Sequence, residues 1–190
     1  KMDYSQFFNM IPEAGLMAIL VIVFLADLFL KGEKKHATLS MLTCALLVAQ
    51  VVLCFNAQPA EAFAGLYTAT AAAQVMKVIL TAGAYIVVVM AQSWIEREDV
   101  LRKEGEFYEL IISTLLGMYM MISSGHFLMF FLGLEMASVP MACLVAFDKY
   151  KKISAEGAAK FILTATFSSG VMLYGISFLY GACGTLYFDD

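Results

Sequence analysis

A stretch of 25 residues, from position 110 to position 134, contains no Asp, Glu, Lys or Arg. A helix needs about 20 mostly apolar residues to cross the hydrocarbon core of a bilayer, so this stretch is long enough to do so. Composition extends the conclusion to the whole chain, since 62% of its 190 residues are hydrophobic and only 15% are charged. Soluble domains are about half apolar and a quarter charged. The chain is therefore predicted to be an integral membrane protein.

Several segments of this kind predict an all-α fold, a polytopic transmembrane helix bundle. Residues 123–126 read Ser-Ser-Gly-His and divide the long apolar stretch, because Ser and Gly clusters favour a turn. Residues 57–73 are rich in small side chains, show no strand-like alternation, and are predicted to form a loop or a short interfacial helix. The six predicted spans are 11–30, 38–56, 74–95, 107–123, 126–147 and 157–180.

Basic residues fall in alternate loops between these spans. Nine of the 12 Lys and Arg residues lie at positions 31–37, 96–106 and 148–153. The positive-inside rule places these three loops in the cytoplasm and both termini on the outer side of the membrane. The net charge of −4 argues against nucleic-acid binding, which needs a basic surface. The lipid bilayer is the expected environment.

Ionisable residues inside the predicted spans are the candidate functional residues, because a charge is costly to bury in a bilayer. Glu135 is the strongest candidate, since 25 uncharged residues precede it and 12 follow it. Pro140 cannot donate a backbone hydrogen bond to the carbonyl of Met136, which predicts a helix kink one turn from Glu135. A carboxylate beside a kink is typical of a proton or ion station. This interpretation is favoured over a hydrogen-bonded packing role.

Four other charges are weaker candidates. Lys160 has Glu156 four residues earlier on the same helix face, and a functional role and snorkelling to the interface explain it equally well. Lys77 lies near the outer end of the third span and is also able to snorkel. Glu13 and Asp27 lie near the two ends of the first span and are favoured as interfacial charges.

No metal site or redox cofactor is predicted for this chain. The sequence has two His residues and no paired cysteine motif or Gly-rich phosphate loop. Its four cysteines lie in apolar runs and are expected to be buried, unreactive thiols.

Several motifs carry a family resemblance. Residues 131–140 read Phe-Leu-Gly-Leu-Glu-Met-Ala-Ser-Val-Pro, residues 106–108 read Glu-Phe-Tyr, and residues 158–161 read Ala-Ala-Lys-Phe. Together they resemble the antiporter-like membrane subunits of respiratory complex I, and most of all the subunit N group of bacterial NADH-quinone oxidoreductases. Only the motif at 131–140 is specific by itself.

The resemblance implies a subunit of about fourteen helices, of which this chain is the N-terminal part. Residues 1–106 would form a three-helix membrane region, and residues 107–190 would begin the proton-translocating domain. The implied site residues are Glu135 and Lys160 for proton translocation, with Lys77, Asp27 and Glu13 as accessory charges.

The implied activity is proton translocation coupled to quinone reduction elsewhere in a bacterial inner-membrane complex. Other membrane subunits would be the partners and protons the transported ion. Quinone, NADH, flavin and iron–sulfur clusters are expected only in the parent complex, and no activity is expected of this chain alone. Related cation/proton antiporters and membrane-bound hydrogenases share the motif at 131–140 and remain alternatives. A non-catalytic membrane scaffold, with its charges as interhelical contacts, is a further alternative.

Overall fold

The computed structural model describes residues 4–30, 35–96, 103–148 and 151–189. Within them the predicted helical bundle is confirmed, and each helix lies within a few residues of its predicted span. A 3₁₀ helix, Tyr4–Met10, leads into the first. The helices are α1 (Ile11–Phe29), α2 (Lys35–Asn56), α3 (Ala71–Ile95), α4 (Glu104–Ile122), α5 (Phe127–Val145) and α6 (Lys152–Cys183).

Five of these helices are long and apolar enough to cross a membrane, and α4 differs from them. Its first turns carry Glu104, Glu106 and Glu109, which lower its mean hydropathy. It packs against α1, α3 and α5, and ten of its 19 residues are buried. Helix α4 is therefore the central helix, shielded by its neighbours rather than by lipid.

The helices run alternately up and down, so their ends gather in two layers. Asp27, near the end of α1, lies 2.9 Å from the Lys35 ammonium at the start of α2. His36 Nδ1 lies 2.5 Å from a carboxylate oxygen of Glu104 at the start of α4. The rings of residues 94, 107 and 147 bring the ends of α3 and α5 to the same layer. We call this layer the basic end, after four residues close to it: Lys35, Lys103, Lys151 and Lys152.

The other five basic residues used in the topology prediction lie outside the described residues. They are Lys31, Lys34, Arg97, Arg102 and Lys149. The side of the membrane on which the basic end lies stays a prediction.

Residues 60–69 form a β-hairpin and α3 begins at Ala71, so the prediction of a loop or interfacial helix over 57–73 was wrong. Strand β1 (Ala60–Ala62) pairs antiparallel with β2 (Tyr67–Ala69). The turn between them holds Phe63, Ala64 and Gly65 at φ of 55°, 54° and 87°. The strands have three residues each, too few for an alternating pattern to be visible in the sequence. We call this layer of the bundle the hairpin end.

The hairpin extends into a larger backbone structure, which we call the cap. The Thr68 N–H donates to the Ser123 carbonyl at 2.8 Å, and the Gly125 N–H donates to the Leu66 carbonyl at 2.9 Å. Ser123 and Gly125 belong to the turn between α4 and α5. The other side of this turn pairs with residues 186–188, which follow α6. The cap therefore joins the hairpin, the α4–α5 turn and the end of the described chain.

The expectation of four buried cysteines was only partly correct. Cys54 is buried and Cys44 is half-buried, whereas Cys143 on α5 and Cys183 on α6 are exposed. Helix α6 buries two of its 32 residues within the described part of the chain. The exposed thiols thus lie on helices whose outer faces are open.

Candidate functional site

Glu135 lies in the middle of α5 and is half-buried. Among the described residues no hydrogen bond or ion pair reaches its carboxylate, while its backbone carbonyl accepts a hydrogen bond from the Ser138 hydroxyl at 3.3 Å. Helix α5 continues through Pro140, which lies inside it and has no N–H to donate to the Met136 carbonyl. The structure thus places an unpaired carboxylate close to a weakened turn of a spanning helix.

Two glycines bring α4 and α5 into backbone contact beside Glu135. A Cβ built on Gly133 would lie 2.7 Å from the Met121 nitrogen and 2.9 Å from the Gly117 oxygen, and one built on Gly117 would lie 2.8 Å from the Gly133 oxygen. Small residues are the usual means by which membrane helices approach this closely. Because Gly133 is two residues from Glu135, this contact fixes the position of Glu135 relative to α4.

Lys160 lies on the open side of α6, and its side chain is 74% exposed. It forms an ion pair with Glu156 one turn earlier, and its carbonyl accepts a hydrogen bond from the Thr164 hydroxyl at 2.8 Å. The two residues thus share a helix face, as their four-residue spacing predicts. The described residues contain no Glu135–Lys160 ion pair.

Glu13 and Lys77 form a buried ion pair, whereas the sequence favoured an interfacial Glu13 and allowed Lys77 to snorkel. The Lys77 ammonium lies 2.6 Å from Glu13 Oε1, and the two residues are 0% and 3% exposed. The Tyr67 hydroxyl donates to Glu13 Oε2 at 2.9 Å and accepts from Lys77 at 3.3 Å. Burial and the Glu13 carboxylate raise the pKa of Tyr67, so its hydroxyl keeps the proton that it donates.

Aromatic and polar groups from other elements enclose this pair. The Lys77 ammonium lies 5.4 Å from the ring centre of Tyr67 and 5.5 Å from that of Tyr119, within the range of cation–π attraction. The Tyr119 hydroxyl contacts the Cys54 sulfur at 3.1 Å and also contacts the Thr81 hydroxyl. Helices α1 to α4 and strand β2 thus all contribute to one buried polar cluster.

Local sequence places both partners at the hairpin end. Pro12 suits the first turn of α1, where its missing N–H has no helical partner, and Glu13 follows it. The Thr70 side chain accepts from the Ala73 N–H at 3.2 Å and caps α3, so Lys77 comes two turns into the helix. The sequence did contain a signal for this pair: Glu13 and Lys77 carry opposite charges, and both lie within the first two turns of helices that begin at the same end of the bundle.

Asp27 has a different environment from Glu13. It pairs with Lys35 at the basic end, where the two side chains are 30% and 27% exposed. A second, partly buried polar group lies at this end and was not predicted from the sequence. His36 contacts Glu104, and the Gln92 amide donates to the Ser40 hydroxyl at 2.7 Å.

An apolar layer separates the two buried polar groups. Leu47 of α2, Val88 of α3 and Ile112 of α4 are fully buried in it, and Leu115 is 3% exposed. No side-chain hydrogen bond crosses this layer among the described residues of α1 to α4. Among the described residues, the cluster around Glu13 and Lys77 thus has no chain of side-chain hydrogen bonds to the basic end.

Comparison with known proteins identifies the kind of chain to which these features belong. Residues 124–190 match a family described as "NADH:quinone oxidoreductase/Mrp antiporter, TM". The chain is 53% identical over 189 residues to NADH-quinone oxidoreductase subunit N of Phocaeicola vulgatus, and 42% identical over 191 residues to that of Azobacteroides pseudotrichonymphae. Both matches cover 100% of this chain. The resemblance to subunit N is confirmed.

The chain spans 40% of the length of these two subunit N relatives. Its fold is similar to a chain of respiratory complex I from Thermus thermophilus, with a TM-score of 0.78 and 25% identity. That match covers 94% of this chain and 38% of the other. The subunit N resemblance therefore holds in both sequence and fold.

The matched family region divides the candidate residues into two groups. Glu135, Pro140 and Lys160 lie inside residues 124–190, whereas Glu13 and Lys77 lie outside them. The buried ion pair is consequently a feature of the subunit N-like chain and not of the region that defines the broader family.

Proposed function

We propose that this chain is a segment of a proton-translocating subunit of NADH-quinone oxidoreductase, and that Glu135 holds a proton on its path. The observation that carries the proposal is the unpaired carboxylate in the middle of α5, because an ionisable group at that depth usually lines a proton or ion route. The whole-chain similarity to subunit N supports the oxidoreductase context. Quinone, NADH, flavin and iron–sulfur clusters belong to other subunits of the complex in this proposal.

Proton exchange at Glu135 follows from the charge around it. A nearby ammonium stabilises the ionised carboxylate and favours proton release, whereas withdrawal of that ammonium favours proton uptake. Lys160 pairs with Glu156 on the open side of α6, and in this proposal it continues the path there. Another helix of the subunit supplies the cation that faces Glu135.

Lys160→Met is expected to lower NADH-driven proton pumping by about tenfold, below the usual contribution of a positioned proton-transfer group. Methionine keeps the length of the side chain and removes its charge. Lys152→Met is the matched control, because it removes a charge from the exposed start of the same helix. Pumping is measured in membrane vesicles as protons moved per electron, with assembly followed on native gels. Equal pumping by the two variants would contradict a role for Lys160.

We also propose that the basic end faces the cytoplasm of a bacterial cell, with the hairpin end outside. The support is the collection of basic residues in alternate loops. A single cysteine at Glu61, which is exposed on β1, should react with an impermeant thiol reagent added to intact cells. A single cysteine at Lys151, exposed at the start of α6, should react only after the cells are opened. The four native cysteines are replaced first, and the reverse labelling pattern would refute this orientation.

A related cation/proton antiporter is the second candidate, because the matched family description also names the Mrp antiporter. The two candidates differ in their energy source. Proton movement driven by NADH and dependent on Glu135 supports the oxidoreductase, whereas sodium-dependent proton exchange without NADH supports the antiporter.

A further inference from the structure

The buried ion pair at the hairpin end is separate from both Glu135 and the Lys160–Glu156 pair. Lys77 is fully buried, and its ammonium contacts Glu13, the Tyr67 hydroxyl and two aromatic rings. A pair of buried charges recovers little net stability, because desolvation offsets the attraction between them. Ionisable residues placed inside a membrane bundle are functional candidates for this reason.

We propose that Glu13 and Lys77 form a second proton-exchanging site, which communicates with the hairpin-end surface through Tyr67. This inference rests on the proposed function, because it assigns the site to the same proton-translocating subunit. The exchange begins within the pair. One N–H bond of the Lys77 ammonium breaks as one O–H bond forms on Glu13, so two opposite charges become two neutral groups. Low dielectric favours the neutral groups, and mutual attraction favours the charged ones.

The surroundings determine where the proton goes next. The titratable groups that face the pair are Cys54 from α2, Tyr67 from β2 and Tyr119 from α4. Cys54 and Tyr119 contact each other, and beyond them no side-chain hydrogen bond among the described residues leads to the basic end. Tyr67 is the hydroxyl that contacts both members of the pair. Exchange therefore runs through Tyr67: its oxygen takes the proton from Glu13 as its own O–H bond breaks and releases a proton to water at the hairpin end, so the phenol stays neutral.

Tyr67 lies on a strand whose neighbouring residues reach the hairpin-end surface. Strand β2 is flanked by Leu66 and Thr70, both of which are exposed. Gln74, one turn before Lys77 on α3, is buried, and its carbonyl oxygen accepts no hydrogen bond from the described residues. A buried acceptor of this kind is normally satisfied by water. A water molecule at Gln74 would extend the polar route beside the pair.

The test is infrared difference spectroscopy of the assembled complex through a pH change, with the complete subunit in place. We expect a pH-dependent carboxylic-acid band that is lost in the double variant Glu13→Gln with Lys77→Gln. That variant removes both titratable groups and keeps their hydrogen-bonding capacity, so the helices still have polar partners for each other. The same band should shift in Tyr67→Phe, which removes a single hydroxyl. A band unchanged in both variants would overturn the proposal.

Pumping measurements separate proton exchange from a structural role. The double variant should assemble and pump fewer protons per electron, whereas a purely structural pair would leave pumping normal once assembly is normal. If the double variant does not assemble, Tyr67→Phe decides the question, and an unshifted band in it refutes exchange at Glu13. Glu135→Gln is measured in parallel and should leave the Glu13 band unchanged. Normal pumping in Glu135→Gln refutes the proposed function, and the infrared band still decides the case of Glu13.

Discussion

Glu135→Gln is expected to lower proton pumping by about a hundredfold, which is the lower end of the usual loss when a positioned proton-transfer group is removed. Glutamine has the shape and hydrogen-bonding capacity of glutamate and cannot ionise. It also costs less to bury than a carboxylate, so assembly should be normal or improved. Glu135→Asp keeps the ionisable group on a shorter side chain and should retain part of the activity. The measurement is protons moved per electron, together with assembly on native gels.

The matched control is Glu61→Gln, which removes the same charge from an exposed position on β1 and should pump normally. Which of the two Glu135 variants pumps more protons per electron decides whether Glu135 handles protons or only packs. A packing role predicts that Gln is tolerated at least as well as Asp, because Gln makes the same contacts without a buried charge. Full pumping by Glu135→Gln would therefore remove Glu135 from the path.

Gly133→Ala is expected to destabilise the chain by about 1–3 kcal/mol, the usual cost of adding atoms to a closely packed contact. The added methyl group meets backbone atoms of α4, including the Gly117 oxygen, and these cannot rotate away as a side chain can. The two helices must separate, which also displaces Glu135. The measurement is the thermal unfolding midpoint of the purified chain in detergent.

Gly170→Ala on α6 is the control, and its expected effect on the unfolding midpoint is the opposite of that of Gly133→Ala. No atom lies within 4 Å of a Cβ built there, so the substitution meets open space. Alanine favours a helix over glycine by about 1 kcal/mol, and this variant should therefore unfold at the same or a higher temperature. A lower midpoint for Gly170→Ala than for Gly133→Ala would contradict the packing described for α4 and α5.

The helices could be predicted from the sequence because apolar length is itself the signal for a membrane span. The limits of that signal are visible in α3 and α6, which begin three and five residues before their predicted spans at 74 and 157. Hydropathy marks the part of a helix that suits lipid, whereas hydrogen bonding continues beyond it. The hairpin escaped prediction for a different reason, since its strands are held by backbone pairing that side chains do not encode.

The candidate site residues also differ in whether the sequence alone could identify them. Glu135 could be found from the sequence because its isolation among uncharged residues is a property of one segment. The Glu13–Lys77 pair could not, because each residue lies near a span end and its burial depends on Tyr67, which comes from the unpredicted hairpin. Likewise, the Lys160–Glu156 pair is local and was predicted, whereas the partner of His36 comes from a helix 68 residues away.

The cap gives the two ends of α5 unequal freedom. At the hairpin end, backbone hydrogen bonds join the turn before α5 to Leu66 and Thr68 on one side and to residues 186–188 on the other. At the basic end, the Ser154 hydroxyl donates to the Val145 carbonyl, and the Phe147 ring contacts Trp94 and Phe107. Ring contacts can re-form after a small movement. Sliding of α5 along its axis must break several hydrogen bonds at once. The cap and the Gly117–Gly133 contact together hold the hairpin-end half of α5 against α4, so a displacement of its basic end must bend the helix beyond Glu135, at the turn that Pro140 weakens.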